Sequence, residues 1–424
     1  MNLIVNPATS INGEVEAPPS KLHTQFSTAI AILANGKCTI ESPLRVRDTT
    51  VMLKAAESLG AVVKRSQEKW SIWGLNGEIK SDKNNLDAKN SGTAICLLTA
   101  LTTLSPTPIV LNGDSQLRSR PMPGFLKALR SLGADVYSTK PDDSPPFMVF
   151  GGGFTGGKVK LGSIESRYLP ALLVAAPYAK KKVELKLRDP PTDLVSELMK
   201  IGHVKITEKK NTLQVPNQAY RAFSYRIPQE ISGAAPFIVA ASLTHSSIKI
   251  NYTGQLTYRD REFLKYLKSF GIEMQISRKY ISLEGKQRLK AARLNLTSAP
   301  EFLPLLAVTA CLARGKTLLY GAESARTMKS DRIAAIANEL RRMRARVLER
   351  NDGLLIQGPT ALRGCEVDGH SDYAITAALV VAALVSTGAT TIKNGVESLL
   401  SAYSRFMSTF QALGADIRYS QPSP

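Results

Sequence analysis

The sequence predicts an α/β (α+β) protein of two domains with three repeats apiece, and three observations carry that prediction. The first is a short signature, an apolar residue, glycine and a second apolar residue, that stops a helix and starts a strand. It recurs at Leu59-Gly60-Ala61, Leu132-Gly133-Ala134, Ile201-Gly202-His203, Phe270-Gly271-Ile272, Met343-Arg344-Ala345 and Leu413-Gly414-Ala415, in steps of 69 to 73 residues. Single matches to such a triplet are common, but six evenly spaced ones mark a repeat. The second is an apolar helix ahead of each signature: Thr28–Leu33, Ala94–Leu101, Leu169–Ala176, Ala235–Leu243, Leu303–Leu312 and Ala374–Leu384. The third is length, because 424 residues exceed what one ordinary core accommodates.

The fifth copy shows the module best. Leu303 to Leu312 is an apolar run poor in helix breakers, and the turn Arg314-Gly315-Lys316 leads into a β-like run, Thr317 to Tyr320. From Asp331 to Met343, Ile333, Ile336, Ala337 and Leu340 fall on one face of a second helix. Two short strands follow, Ala345–Leu348 and Leu354–Gln357, around an Asn351-Asp352-Gly353 turn. The unit is therefore helix, strand, helix, hairpin. Six units divide three and three, and Asn217–Gln229, which contains Pro228 and follows Pro216, is the expected crossing. The opening strands Leu3-Ile4-Val5 and Gly13-Glu14-Val15 are expected to pair with the far domain. The predicted domains are 17–228 and a discontinuous one of 1–16 plus 229–424, with a ligand cleft between them.

Composition excludes several classes. No run of about 18 apolar residues is present to span a membrane. The start lacks the basic region and long apolar core of a signal peptide, so the expected compartment is the cytoplasm. Cys38, Cys96, Cys311 and Cys365 lie far apart without paired spacing, which predicts reduced thiols and neither a metal site nor a disulfide frame. The glycine run 151–157 has no following Gly-Lys-Ser/Thr, so it reads as a loop and not a phosphate cradle. The formal net charge is +20. The densest basic cluster, Arg341, Arg342, Arg344, Arg346 and Arg350, reads as a solvated surface aided by a helix C-terminus. It has no interleaved aromatics to suggest nucleic acid.

Function is expected where the first helices begin. Each starts after polar or turn residues: Pro19-Ser20-Lys21, Asn90-Ser91-Gly92-Thr93, Glu165-Ser166-Arg167, Ser232-Gly233, Pro300-Glu301, and Gly369-His370-Ser371-Asp372. Helix N-termini carry unpaired N–H groups and a positive dipole end, and converging ones favour anions. Arg45, Arg47, Arg118, Arg120, Arg188, Arg259, Arg261, Arg326, Lys329 and Arg332, near the second helices, add to that preference. Ordinary caps and solvated charges explain any one of these sites alone; together they point to a phosphate- or carboxylate-rich ligand.

The pieces Ser20-Lys21, Asn90 to Ala94, Gly113 to Met122 and Lys329 to Ile333, with the Pro300-Glu301 helix start, resemble motifs of the EPSP synthase family, most closely its archaeal branch. The resemblance covers essentially the whole chain. It implies two domains of three βαβαββ units each, the inside-out α/β barrel of the enolpyruvate transferases. It also implies transfer of the enolpyruvyl group of phosphoenolpyruvate to the 5-hydroxyl of shikimate 3-phosphate with release of phosphate. That step belongs to the shikimate pathway, leading to chorismate and the aromatic amino acids. The implied partners are these small anionic substrates, with no nucleic acid, membrane, metal or organic cofactor, and the chain is expected to be a monomer.

Residue by residue, the resemblance makes Lys21 a ligand of both substrates and a candidate proton donor. It places Asn90, Gly92 and Thr93 in the loop that approaches the phosphoenolpyruvate phosphate, and Arg120 on that phosphate. Arg332 matches a carboxylate ligand, Glu301 the family's aspartate beside the attacking hydroxyl, and Ser166 with Arg167 part of a triplet for phosphate and ring. Lys329 joins the substrate-binding set at a position where relatives carry a glutamate. Other positions depart: Leu22 and Phe26 replace a serine and an arginine, Cys96 an arginine, and Met328 a lysine. Ala374 replaces a second carboxylate-binding arginine, and Ser401 a lysine. These losses keep two alternatives open: an impaired paralogue that binds an anionic ligand, or an enolpyruvyl transferase with another acceptor.

Overall fold

The computed structural model describes residues 1–162, 168–188, 198–285 and 287–420. The chain divides into two compact units, Pro19–Ile227 and a discontinuous one of Met1–Pro18 with Pro228–Pro424. Each holds its own hydrophobic core.

In the unit Pro19–Ile227 the described helices include α1 (Lys21–Leu33), α2 (Arg47–Ser58), α3 (Gly92–Thr102), α4 (Pro123–Ser131) and α5 (Leu169–Ala175). The first helices of the three repeats, α1, α3 and α5, pack against one another. Most of their residues are buried on every side, which is why their sequences are apolar without a stripe. Three four-stranded sheets surround them, each with one parallel pair followed by two antiparallel pairs. The first sheet takes its outer parallel strand, Ser224–Arg226, from the far end of the unit, alongside Lys37–Glu41. That pairing closes the ring of repeats.

The discontinuous unit repeats the plan with α6 (Ala235–Leu243), α7 (Tyr258–Ser269), α8 (Leu303–Leu312), α9 (Arg332–Arg342), α10 (Tyr373–Leu384), α11 (Val396–Ala402) and α12 (Phe406–Ala412). Here α6, α8 and α10 form the inner layer. Pro236 and Pro304 sit in the first turns of α6 and α8, where a missing N–H costs nothing. The N-terminal segment supplies two strands. Asn2–Val5 lies between Thr390–Lys393 and Ile417–Ser420, antiparallel to both, and Gly13–Glu16 runs parallel to Ser247–Asn251.

Among the six signatures the central residue is left-handed at Gly60, Gly133, Gly271 and Gly414, with φ from +82° to +100°. The fifth copy does the same without glycine, at Arg344 with φ +72°. In the third copy the left-handed residue is His203, one position later than the signature predicts. The hairpin of the fifth module also differs from expectation. Arg350 pairs with Gly353, so the loop is Asn351-Asp352 alone and Gly353 begins the strand Gly353–Gly358.

Candidate functional site

The unit Pro19–Ile227 brings together most of the residues expected there. Ser20 caps α1, its Oγ accepting from the His23 N–H at 3.4 Å, which places Lys21 at the first helical position. Lys21 Nζ lies 3.3 Å from Asp48 Oδ2 in the first turn of α2. Ser91 caps α3 by accepting from the Ala94 N–H at 3.2 Å, so Gly92 and Thr93 form that helix's opening turn. Arg120 reaches over this turn: its Nη2 donates to Asn90 Oδ1, and its Nη1 stands 3.6 Å from where a Cβ on Gly92 would be. Asn90 is fixed in turn by donating to Asp114 Oδ2 at 3.0 Å and to Gln116 Oε1.

The residue that ties these parts together is Gln25, which sequence reasoning missed. Its buried side-chain amide donates to the Asp48 carbonyl at 2.9 Å and to Ser91 Oγ at 3.0 Å, joining the starts of α2 and α3 to α1. Nothing in a lone glutamine inside an apolar helix announces such a role. Asp48 was missed for a related reason, since an acidic residue in a first turn reads as a helix-dipole partner. Ser166 and Arg167 lie outside the described residues.

In the discontinuous unit a second cluster forms at the starts of α6, α7 and α8. Thr257 caps α7 in a capping box with Asp260, whose Oδ1 also accepts from the Ser232 N–H at 2.7 Å. Burial, with the nearby Glu230 charge, pushes the Asp260 carboxyl up to about 6. The same turn carries Arg259, whose Nη2 meets Glu301 Oε1 at 2.7 Å and whose Nε stands 3.9 Å from Glu230 Oε1. Glu301 projects from the short turn Pro300–Phe302 that leads into α8. Burial works against the Arg259 charge, but Glu301 and Glu230 outweigh it and hold the guanidinium firmly protonated.

Arg332 occupies a different setting. Its Nε and Nη2 grip Asp372 Oδ2 and Oδ1 at 2.7 and 2.9 Å, and its Nη1 faces Met328 Sδ at 3.3 Å. The two side chains are 3% and 0% exposed, so this carboxylate ligand of the sequence reading is occupied by a carboxylate of its own chain. Ser330 Oγ adds a bond to Asp372 Oδ2 at 3.1 Å. Burial pushes the Asp372 carboxyl up, and the Arg332 guanidinium more than reverses that, leaving it below the usual aspartate range. Lys329 is half-buried, with its Nζ 5.4 Å from the centre of the Tyr373 ring.

Several cations expected to favour an anion are used otherwise. Arg326 binds Asp331 at 2.7 Å, Glu349 at 3.0 Å and the carbonyls of Arg350 and Asn351, locking the fifth hairpin. Arg45, Arg47, Arg118, Arg188 and Arg261 are exposed. The changed motif positions are filled from the core: Phe26 is fully buried, and the Cys96 sulfur lies 3.8 Å from that of Met122. Among the described residues no cluster of three or more His, Cys, Asp or Glu side chains is able to hold a metal, and no helix is long and apolar enough to cross a membrane.

Comparison with known proteins decides the family. A family profile described as EPSP synthase (3-phosphoshikimate 1-carboxyvinyltransferase) matches residues 5–410. The chain belongs to the EPSP synthase family. It is 31% identical to the 3-phosphoshikimate 1-carboxyvinyltransferase of Methanococcus maripaludis, over 98% of this chain and 99% of the relative. It is 35% identical to the enzyme of that name from Methanosarcina acetivorans, over 97% of each. In fold it is similar to EPSP synthase of Acinetobacter baumannii, with a TM-score of 0.82 at 23% identity over 99% of this chain and 100% of the other. It is also similar to the enolpyruvyl transferase NikO of Streptomyces tendae, with a TM-score of 0.78 at 17% identity over 98% of each. Family membership over nearly the whole length favours a transferase over the impaired paralogue.

Proposed function

We propose that this chain transfers the enolpyruvyl group of phosphoenolpyruvate to the 5-hydroxyl of shikimate 3-phosphate, releasing phosphate. The observation that carries the assignment of roles is the arrangement of Asn90, Gly92 and Arg120 at the start of α3, with Lys21 and Asp48 joined to it through Gln25. A guanidinium over a glycine-opened helix N-terminus suits a phosphate, because backbone and side-chain donors approach it together. Arg120 and the Asn90–Thr93 turn take the phosphoenolpyruvate phosphate, and Lys21 is the candidate acid for its methylene carbon.

In the other cluster Glu301 is the general base. It takes the 5-hydroxyl proton as the oxygen bonds to C2 of the enolpyruvyl group and the methylene carbon takes a proton from Lys21. The methyl group then returns a proton to Lys21 as the bond from C2 to the phosphate oxygen breaks, which restores the double bond. The hydroxyl proton is then balanced by protonation of the departing phosphate. Arg259 fixes the Glu301 carboxylate without being its proton acceptor, since the guanidinium is firmly charged. Lys329 supplies cationic charge to the substrate carboxylate, with Arg332 behind it. General acid and base groups so placed contribute on the order of 10²–10⁴-fold each.

Steady-state phosphate release with both substrates tests the reading. A kcat on the order of 10 s⁻¹, typical of enzymes, is the expected result. Phosphate release below one-thousandth of that value, with shikimate 3-phosphate still bound in a calorimetric titration, would remove the transferase assignment in favour of an anion-binding paralogue.

A further inference from the structure

Asp260 is a fully buried carboxylate in the first turn of α7, and the proposed reaction makes no direct use of it. Its bonds run two ways. Oδ2 accepts from the Thr257 N–H at 2.9 Å, and the Asp260 N–H donates to Thr257 Oγ1 at 3.2 Å, which closes the capping box. Oδ1 accepts from the Ser232 N–H at 2.7 Å, in the turn Ile231–Ala234 that leads into α6. One side chain thus joins the starts of α6 and α7.

The residue before it extends that link to α8. Arg259 Nη2 meets Glu301 Oε1 at 2.7 Å, and its Cζ lies 5.9 Å from the centre of the Phe302 ring. Phe302 packs in turn on Phe263 of α7, with ring centres 5.0 Å apart. The direction Arg259 takes is set by the first turn of α7, and Asp260 fixes that turn. An ionised carboxylate accepts from donors at two helix starts at once, whereas the neutral acid turns one oxygen into a donor. Among the described residues, Glu230 ahead of α6 opposes the Asp260 charge, the Tyr252 phenol is pushed up by it, and Arg259, Arg261 and Glu262 share its helix.

We propose that the ionised Asp260 is a positioning residue for the general base: by locking the start of α7 to that of α6 it aims Arg259, and through Arg259 the Glu301 carboxylate, at the acceptor hydroxyl. Being fully buried, Asp260 acts through Arg259 and not on substrate. The inference rests on the proposed reaction and adds to it a second carboxylate whose charge that step requires. Burial and the Glu230 charge push the Asp260 carboxyl up to about 6, so the lock loosens at a pH that leaves exposed carboxylates ionised.

The test is kcat for phosphate release against pH, with both substrates saturating, in the parent, Asp260→Asn, Glu230→Gln, Arg259→Leu and the Arg259→Leu/Asp260→Asn double. The parent's kcat should fall below about pH 6. Asp260→Asn keeps an acceptor oxygen without the charge. At about pH 7.5 its kcat should be lower by about 10- to 100-fold, the scale of a displacement of up to about 1 Å, with the KM for phosphoenolpyruvate within about twofold. Its acid limb should move down by about one pH unit or more, since the group that titrates there is gone. Glu230→Gln leaves Asp260 in place and removes the charge that opposes its ionisation, so its limb should also move down, which keeps the test open should Asp260→Asn not fold. The double variant should be no worse in kcat than Arg259→Leu, as both act through one guanidinium. An acid limb unmoved in either charge variant, a KM effect without a kcat effect in Asp260→Asn, or additive losses in the double would each overturn the inference and leave the transferase reading standing. A parent that releases no phosphate removes both.

Discussion

Replacing Asp372 by alanine should destabilise the discontinuous unit severely. The carboxylate is fully buried, accepts from Arg332 at 2.7 and 2.9 Å, and caps α10 through the Ala374 N–H at 2.9 Å. Removing it strands a buried guanidinium, which costs about 3–5 kcal/mol, and deletes a cap worth about 1 kcal/mol. Against a total stability of roughly 5–15 kcal/mol, that is a large fraction. Urea unfolding followed by far-ultraviolet circular dichroism measures it. Trp70 and Trp73 both lie in the other unit, so fluorescence gives an independent reading of Pro19–Ile227 that the substitution should leave nearly unchanged. Replacing both partners by apolar residues, Arg332→Met with Asp372→Leu, should recover much of the loss, because no lone charge remains. The pH dependence has a definite sign. The folded carboxyl sits below its ordinary range, so its contribution is present above about pH 4, the unfolded value, and is lost as pH falls through the folded one. A folded Asp372→Ala variant with a loss under about 1 kcal/mol would refute the reasoning, since only a solvated arginine tolerates that change so cheaply.

Three further outcomes are expected. His370 Nε2 meets Glu339 Oε1 at 3.0 Å; that hydrogen bond raises the His370 pKa against burial and the Arg342 charge, with Asp368 and the Glu339 charge adding to the rise. Its stabilisation is therefore complete below about pH 6.5, the unfolded value, and lost as pH rises through the folded one; urea midpoints of parent and His370→Gln should converge toward alkaline pH, and parallel curves would sink the idea. Glu301→Gln should lower kcat by about 10²–10⁴-fold with little change in KM, and kinetics showing only a KM effect would reassign Glu301 to binding. Gln25→Leu, which leaves Ser91 Oγ and the Asp48 carbonyl without their shared donor, should cost about 1–3 kcal/mol in urea unfolding and raise the KM for phosphoenolpyruvate; unchanged values of both would show that the three helix starts are held by other contacts.

The fold was legible in proportion to how strongly burial writes itself into a segment. Leu303–Leu312 and Ala235–Leu243 match their expected bounds because an inner helix buried on all sides has no polar face to blur its ends. The repeat was legible because a left-handed helix stop selects glycine in four copies, and Arg344 shows that the backbone need persists where the glycine does not. Less legible were strands such as Asn85–Asp87, Arg293–Asn295 and Glu366–Asp368. Each has three residues with a single buried side chain, too little alternation to mark a strand. Charges were the hardest to read. Arg326 and Arg120 look alike in sequence, yet one closes a hairpin on Asp331 and Glu349 while the other lies over a helix start.

The changed motif positions follow one physical rule. An arginine in a sparsely solvated place is stable only with its counter-charges, and once a partner is lost an apolar side chain is the better occupant. Phe26 and Cys96 stand where the family resemblance expects arginines, and both are now core residues, with Cys96 packed on Met122. The cations that remain kept their partners: Lys21 with Asp48, Arg120 with Asn90, Arg259 with Glu301, Arg332 with Asp372. The losses are thus not independent subtractions from one fixed site. The pairs that are present are complete, so a count of missing residues alone overstates the damage. Lys329, a cation where the family resemblance expects a glutamate, lies with its Nζ 5.4 Å from the centre of the Tyr373 ring.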